Sequence, residues 1–243
     1  MSRSTLRNSD NPSKTLYGID GCRGGWVVAK AVSDLNDLTV DFTSGLRAIF
    51  EQAGPDSLVA IDIPIGIPEN EPRLCDGAAR QLLRWPRSSS VFSPPCRRAL
   101  AGKNFEEVLR LNRAAMGLGI SKQAFHITAK ICEVDALMTV EKQRYIREVH
   151  PEVTFAQLKG AALTHNKKSL RGRAERIDLL ERAGLKVLEA WPAKQRMKPD
   201  DVIDALACLV TAFAIQNGRS RCLGRPEQRD AKGLVMEIVC TLA

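Results

Sequence analysis

The alternation of apolar and polar positions predicts a strand, a glycine turn and a second strand near the beginning of the chain. LYGID, starting at Leu16, is followed by GCRGG and then by WVVAKAV, so β-branched and aromatic residues flank the turn. LTVDFTS predicts a third strand. Residues 45–53 place apolar side chains at helical spacing before a Gly54-Pro55 stop, and LVAIDIPIG is an almost unbroken apolar run, typical of a strand buried on both faces. The predicted order is β-β-β-α-β.

The second half of the chain is predicted to be richer in helices. Residues 69–141 are expected to form a mostly helical insertion that ends in a helix over about 124–140. RYIREVHPEV resumes the strand pattern, and Pro151 suits the first turn of a helix through PEVTFAQLKG. Helices over 172–183 and 201–216 and a last strand, GLVMEIV, complete the pattern.

Composition and charge limit the class of protein. We expect one domain over 15–243 and a disordered tail over 1–14, which is polar and lacks the apolar centre of a secretion signal, so a cytoplasmic location is expected. No apolar run reaches the roughly 20 residues of a membrane helix. Seven cysteines without a C-x-x-C pair argue against a disulfide framework and a zinc site. A net charge of +8 is compatible with a polyanionic partner such as nucleic acid.

Two aspartates lie inside apolar runs that predict buried strands. Asp20 ends the first strand, and Asp62 precedes Pro64, which cannot donate to a strand ladder, so regular pairing is expected to stop close to Asp62. A charge in such surroundings costs several kcal/mol unless it is paired or bound to a metal. The alternative for either residue alone is a strand-end carboxylate that caps the next turn.

Three further acids are candidates for the same site. Glu148 shares a strand face with Ile146, whereas Arg147 points the other way; the alternative is that Glu148 pairs with an arginine at the sheet edge. Asp201 and Asp204 stand three apart and project from one helix face. Their alternative is a near capping box, with Asp201 as the N-cap. Because VIDALACLVTAFAI is apolar almost all round, Asp204 is expected to enter a crowded interior.

These carboxylates together predict a divalent-metal site. Mg²⁺ and Mn²⁺ take oxygen ligands, and two-metal phosphodiester chemistry needs several carboxylates around ions about 4 Å apart. We predict Asp20, Asp62 and Asp204 as metal ligands, with Asp201 or Glu148 completing the catalytic set. His150 could ligate a metal or move a proton, although a hydrogen-bonded helix entry is the more common role.

Several segments, in order along the chain, resemble the family called domain of unknown function 429, described as predicted ribonuclease-H-like nucleases. The resemblance covers about residues 15 to 241 and is carried by GIDGCRGGWVVA, IDIPIG, SVFSPPCR, KICEVD with REVHPEVTF, NKKSLRGRAERIDLL and DDVIDALACLVTA. It implies an α/β fold with a ribonuclease-H-like mixed sheet, in which three antiparallel strands come first and parallel strands follow. It also implies an acidic centre that uses Asp20, Asp62, Asp201 and Asp204. Nuclease function is an analogy at this level, since no activity comes with the family name.

Basic residues form two clusters that could hold a nucleic-acid strand. Residues 73–98 carry six arginines against one acid, with Trp85 and Phe92 interleaved, and a second cluster lies within 167–176. Arginine on phosphate and aromatic stacking would suit such a strand, and solvated surface residues are the alternative. The predicted substrate contacts are Arg23, Arg97, Arg98, Lys167 and Lys168. Lys130 and Glu133, three apart on a helix, are predicted to form a surface ion pair.

The leading functional interpretation is a Mg²⁺- or Mn²⁺-dependent phosphodiester hydrolase that acts on RNA or DNA, with metal-activated water attacking phosphorus. A second is an actin-like phosphotransferase or ATPase, because GIDGCRGGWVVA also resembles the first phosphate loop of that superfamily. At 243 residues and without a second glycine-rich nucleotide loop, the chain is short for two duplicated domains. A third is a non-catalytic nucleic-acid-binding protein whose carboxylates serve the structure.

Overall fold

The computed structural model describes residues 14–32, 35, 37–192 and 197–242. The tail predicted over 1–14 therefore lies outside the described residues, except for Lys14. Five strands form a mixed sheet in the order β3-β2-β1-β4-β5. These strands are β1 (Thr15–Cys22), β2 (Gly25–Val32), β3 (Thr39–Thr43), β4 (Ser57–Ile61) and β5 (Ile146–Glu148).

The sheet has an antiparallel half and a parallel half. β1 pairs with β2, and β2 with β3, in antiparallel register, whereas β4 runs parallel to both β1 and β5. The helix α1 (Arg47–Gln52) connects β3 to β4. The predicted β-β-β-α-β order, with antiparallel strands followed by parallel ones in an α/β fold, is therefore confirmed. β4 ends at Ile61, one residue before Asp62, as the nearby proline predicted.

Most helices follow β4. Those between β4 and β5 are α2 (Leu74–Leu83), α3 (Phe105–Met116), α4 (Lys122–His126) and α5 (Thr128–Leu137). Those after β5 are α6 (Pro151–Lys159), α7 (Leu170–Arg182) and α8 (Pro199–Gln216). Short 3₁₀ helices cover Arg87–Ser90, Arg97–Ala101 and Lys142–Arg144. The single helix predicted over 124–140 is divided into α4 and α5 at Ile127, where the backbone (φ −94°, ψ 0°) leaves regular helical geometry.

Helix α8 begins two residues earlier than predicted. Lys198 is its N-cap and Pro199 its first residue, a position where the fixed φ of proline suits the helix and its missing N–H costs nothing. Asp201 is consequently the third helical residue, and Asp204 lies a full turn inside the helix. The capping-box alternative for Asp201 and Asp204 is therefore wrong.

A two-stranded antiparallel sheet closes the chain, formed by β6 (Ser220–Arg229) and β7 (Val235–Thr241). β7 was predicted and β6 was not. Most residues of β6 are exposed or half-buried, so this strand lacks the apolar alternation that marks a strand in sequence. The hairpin packs on α2 and meets the main sheet through a bridge between Val149 and Val239. No helix in the described ranges is long and apolar enough to cross a membrane.

The two faces of the main sheet are covered by different helices. Leu58 and Ala60 of β4 share one apolar cluster with residues of α6, α7 and α8. Val59 and Ile61 belong to the opposite cluster, with Phe50 of α1 and Ile131 of α5. Because successive strand residues alternate between faces, every strand position is assigned either to the face covered by α8 or to the face covered by α5.

Helix α8 approaches β1 at backbone distance. A Cβ placed on Gly18 would lie 2.2 Å from the carbonyl oxygen of Ala205 and 2.2 Å from the amide nitrogen of Leu209, both backbone atoms of α8. The absence of a side chain at Gly18 therefore allows this contact. A larger residue could be accommodated only by a shift of the α8 backbone, because the nearest atoms are backbone atoms.

We expect Gly18→Ala to lower the free energy of unfolding by about 3 kcal/mol or more, because the added methyl group displaces the backbone of α8. Gly77→Ala is the matched control, since Gly77 lies inside α2 with open space around its Cα and gains up to about 1 kcal/mol of helix propensity. Urea denaturation followed by circular dichroism measures both. Equal stability of the two variants would contradict the close contact.

Candidate functional site

A cleft of about 220 Å³ opens beyond the carboxyl ends of β1, β4 and β5. Four of the predicted site residues, Asp20, Asp62, Glu148 and Asp204, line it, together with Lys167. In sheets with parallel strands this edge is where ligands commonly bind, because the strand ends and the following loops converge there. The structure thus brings together acids from three strand ends and from α8.

Asp20 and Asp62 are neighbours across the sheet. Ile19 of β1 pairs in parallel register with Ile61 of β4, and the amide of Asp62 donates to the carbonyl of Ile19 at 2.9 Å. Counting by twos from Gly18, which touches α8, places Asp20 on the α8 face. Counting likewise from Ala60 places Asp62 there too.

Asp204 reaches the same place from α8. It precedes Ala205, whose carbonyl touches Gly18, and it is only 3% exposed. Its Oδ2 accepts a hydrogen bond of 2.6 Å from the ammonium of Lys167. The loop carrying Lys167 is fixed by the next helix, because Ser169 donates to the carbonyl of Asn166 at 2.7 Å and accepts from the first turn of α7.

Burial and neighbouring charges raise the pKa values of all three aspartates. Burial raises the pKa of Asp20 well above its usual value, and repulsion from Asp204 and Asp62 adds to the shift. Burial, opposed in part by His150 and reinforced by Asp204, raises the pKa of Asp62 to about 6. Burial also raises the pKa of Asp204, although Lys167 opposes it. The cleft therefore concentrates negative charge that is incompletely compensated.

Lys167 is the main counter-charge of Asp20 and Asp204. Burial alone would lower its pKa, but the ion pair with Asp204 and the nearby Asp20 and Asp62 more than offset this effect, so the pKa rises. The side chain is partly exposed and lines the cleft. Its ammonium thus remains charged while it holds Asp204.

Asp201 does not line the cleft. It is half-buried, and its charge contributes to the raised pKa of Asp20, so it lies beside the aspartates. Burial, followed by repulsion from Asp204, raises the pKa of Asp201 itself.

Glu148 is committed to other partners. Its register partner is Ile61, which belongs to the cluster on the α5 face, so Glu148 projects away from α8. Its Oε2 accepts from the amide of Ile65 at 2.6 Å and forms a buried ion pair with Arg73. The structure therefore matches the alternative in which Glu148 pairs with an arginine, although that arginine is buried at the start of α2 and not at the sheet edge.

Several arginines of the two basic clusters form internal ion pairs. Arg97 contacts Glu69, Asp135 and Asp230, with 2.6 Å to the buried carboxylate of Asp230. Arg176, only 1% exposed, pairs with Glu152. Neither arginine lines the cleft, and these pairs explain their positions without a substrate. Arg23, Arg98 and Lys168 are exposed and also lie outside the lining, so Lys167 alone of the five predicted substrate contacts lines the cleft.

Lys130 has a role that the sequence did not indicate. Its ammonium lies 4.1 Å from the ring centre of Trp26 and donates to the carbonyl of Gly25, whereas Glu133 accepts from Trp26 Nε1 at 3.0 Å. The predicted surface ion pair of Lys130 with Glu133 is therefore wrong, since Trp26 separates their contacts. Lys130 lines the cleft, where it adds a second cation near Asp20.

The carboxylates do not surround one point. Within the described residues, no group of three or more His, Cys, Asp and Glu side chains is placed so that it could hold a metal ion. One oxygen of Asp204 is already engaged, because its Oδ2 accepts a hydrogen bond from the ammonium group of Lys167.

The family model described as "Protein of unknown function (DUF429)" matches residues 18–229. The family resemblance recognised in the sequence is thereby confirmed. No curated protein and no solved structure gives a significant match.

We expect Arg97→Ala to lower the free energy of unfolding by about 1–3 kcal/mol, because the buried carboxylate of Asp230 loses its charged donor. Arg98→Ala, at the exposed neighbouring position, should stay within about 0.5 kcal/mol of the wild type. Urea denaturation of both variants measures the difference. An Arg97 variant as stable as the wild type would indicate a solvated surface residue.

The raised pKa of Asp62 makes the free energy of unfolding depend on pH, and EDTA keeps the protein free of metal during the measurement. A folded pKa of about 6, above the ordinary value of 3.8, means that Asp62 binds its proton more tightly in the folded state than in the unfolded state. The ionised Asp62 therefore lowers the free energy of unfolding. This destabilisation is complete above about pH 6 and decreases as the pH falls. Between pH 7 and pH 5 the gain attributable to Asp62 is about 1 kcal/mol. Asp62→Asn should lose that part of the gain, as measured by urea denaturation at both pH values. An unchanged pH dependence would contradict the assignment.

Proposed function

We propose that this chain, which belongs to the DUF429 family, is a divalent-metal-dependent phosphodiester hydrolase acting on RNA or DNA. The observation that carries the proposal is the convergence of Asp20, Asp62 and Asp204 on one cleft at the carboxyl ends of parallel strands. We also propose that the sheet is ribonuclease-H-like. The three antiparallel strands followed by parallel ones support this, since they match the sheet that the family resemblance implies.

The donor chemistry of the cleft fits Mg²⁺ or Mn²⁺. Carboxylate oxygens are the ligands that such hard cations prefer, and mutual repulsion among the three aspartates is relieved when a cation lies between them. Binding requires the side chains to move together and Lys167 to release Asp204, since the present positions do not surround one ion. When bound, the cation would supply the charge that activates water and stabilises the leaving oxygen.

The residues around the aspartates support a nucleic-acid substrate. Lys167, once released from Asp204, provides a cation at the cleft for a phosphate group. Phe92 lines the cleft, and Trp85, in the same connection between α2 and α3, is 82% exposed; both offer aromatic surfaces on which bases can stack. The exposed Arg23 lies in the turn between β1 and β2, at the same sheet edge as Asp20.

The test is cleavage of labelled single-stranded and structured RNA and DNA with Mg²⁺, with Mn²⁺ or with EDTA. We expect cleavage only with metal, and a loss of more than about 100-fold in Asp204→Asn, the scale on which one charge-stabilising contact acts. Asp178→Asn is the matched control, because Asp178 is an exposed carboxylate on α7.

The other outcomes separate the alternatives. Cleavage that persists in EDTA or in Asp204→Asn would overturn the proposal. Nucleic-acid binding without metal-dependent cleavage would favour a non-catalytic binding protein. ATP binding detected by calorimetry would favour the actin-like phosphotransferase.

A further inference from the structure

Glu152 is a second buried glutamate at the cleft. It is the second residue of α6, which follows β5 after two connecting residues, Val149 and His150. α6 packs on the α8 side of the sheet, where Phe155 joins the same apolar cluster as Val202 and Leu206 of α8. Glu152 is 5% exposed and lines the cleft with the aspartates.

One oxygen of Glu152 is held by a rigid arginine. Oε1 accepts from Nη2 of Arg176 at 2.5 Å. Arg176 is itself fixed, because Nη1 donates to the carbonyls of Gly172 at 2.9 Å and His165 at 3.3 Å, and its guanidinium lies 5.5 Å from the ring centre of Phe155. A 2.8 Å hydrogen bond between Thr154 of α6 and Thr211 of α8 ties the two helices together beside this pair.

The other oxygen has no such partner. Oε2 of Glu152 is buried and accepts no hydrogen bond from any residue that the structure describes. Buried carboxylate oxygens are nearly always satisfied, because an unpaired buried acceptor keeps the full cost of its desolvation. The charge of Glu152 also acts on the site, since it adds to the effect of burial in raising the pKa values of Asp204 and Asp62.

Glu148 also lines the cleft and is also held by a buried arginine, but it lies on the other face of the sheet. It projects to the α5 face, its Oε2 is occupied by Arg73 and by the amide of Ile65, and the hydrogen bonds that hold it come from buried groups. Glu152 lies on the α8 side, and its Oε2 is buried without a hydrogen-bond partner among the described residues. The two glutamates are four positions apart and reach the same cleft from opposite faces of the sheet.

We infer that Glu152, and not Glu148, is the fourth carboxylate of the cation site, and that Arg176 is its positioning residue. The inference rests on the proposed function. Arg176 occupies Oε1 and leaves Oε2 without a partner at the cleft that Asp62 and Asp204 also line, so Oε2 can serve as a further hard oxygen donor. Supporting contacts of this kind set the orientation and affinity of metal ligands.

The test is Mn²⁺ binding to the full chain without substrate, measured by calorimetry and by the paramagnetic resonance signal of free Mn²⁺. We expect Glu152→Gln to weaken Mn²⁺ binding at least about 10-fold, because amide groups are poor substitutes for a carboxylate ligand. The matched variant Glu148→Gln should bind Mn²⁺ within about 3-fold of the wild type. Urea denaturation establishes that each variant is folded.

Two further variants keep the test decisive if Glu152→Gln does not fold. Glu152→Asp keeps the charge opposite Arg176 but withdraws the carboxylate by one methylene, and it should weaken Mn²⁺ binding as well. Arg176→Lys keeps the charge and loses the planar fork. It should weaken Mn²⁺ binding at temperatures where the variant is fully folded, a change that a purely structural role would not produce.

The outcomes distinguish this inference from the proposed function. A wild-type protein that binds no Mn²⁺ would overturn both. Mn²⁺ binding by the wild type that is unchanged in folded Glu152→Gln and Glu152→Asp would overturn the role of Glu152 alone. Equal weakening in Glu148→Gln and Glu152→Gln would also overturn it, since the loss would then reflect a general disturbance of the cleft.

Discussion

The close approach of α8 to β1 is the constraint on which the cleft depends. At Gly18 the two backbones touch, and this contact fixes the height and rotation of α8 against the sheet. Asp20 follows Gly18 by one alternation of the strand, and Asp204 precedes the touching carbonyl of Ala205 by one residue. Burial of an apolar helix against a strand therefore forces two carboxylates together, and the energy of that packing opposes their repulsion.

The cleft combines clustered carboxylates with two ion pairs. Asp20, Asp62 and Asp204 line it, Lys167 pairs with Asp204, and Arg176 pairs with Glu152. An anionic substrate that approached this group alone would meet repulsion, whereas a hard cation would satisfy several oxygens at once. The clustering of carboxylates therefore underlies both the raised pKa values and the proposed cation site.

The positive charge of the chain does not by itself form a binding groove. The overall charge of +8 includes arginines that are used inside the molecule, where Arg73 meets Glu148 and Arg97 meets Asp230. These partners lie 75 and 133 positions apart in sequence. Such pairs cannot be detected by comparing the arginines of a segment with the acids close to them in sequence. Fewer arginines are therefore available for phosphate groups than the sequence predicted.

The sequence was sufficient to predict most of the local structure and the burial of Asp20 and Asp204, but not the burial of Arg73 and Arg176. Its periodicities predicted β1 to β4, the order β-β-β-α-β, the end of β4 near Asp62 and the burial of Asp204, because each depends on neighbours a few positions away. Which buried charges come into contact depends on the packing of elements that are distant in sequence. Strand alternation predicted that Glu148 and Ile146 share one face of the sheet, but the docking of the helices sets which face α8 covers. As a result, Glu148 pairs with Arg73 on the α5 face, whereas Glu152, paired with Arg176, lies on the α8 face with the aspartates. β6 was missed for a related reason: its hydrogen bonds to β7 are long-range, and its exposed side chains carry no alternating pattern.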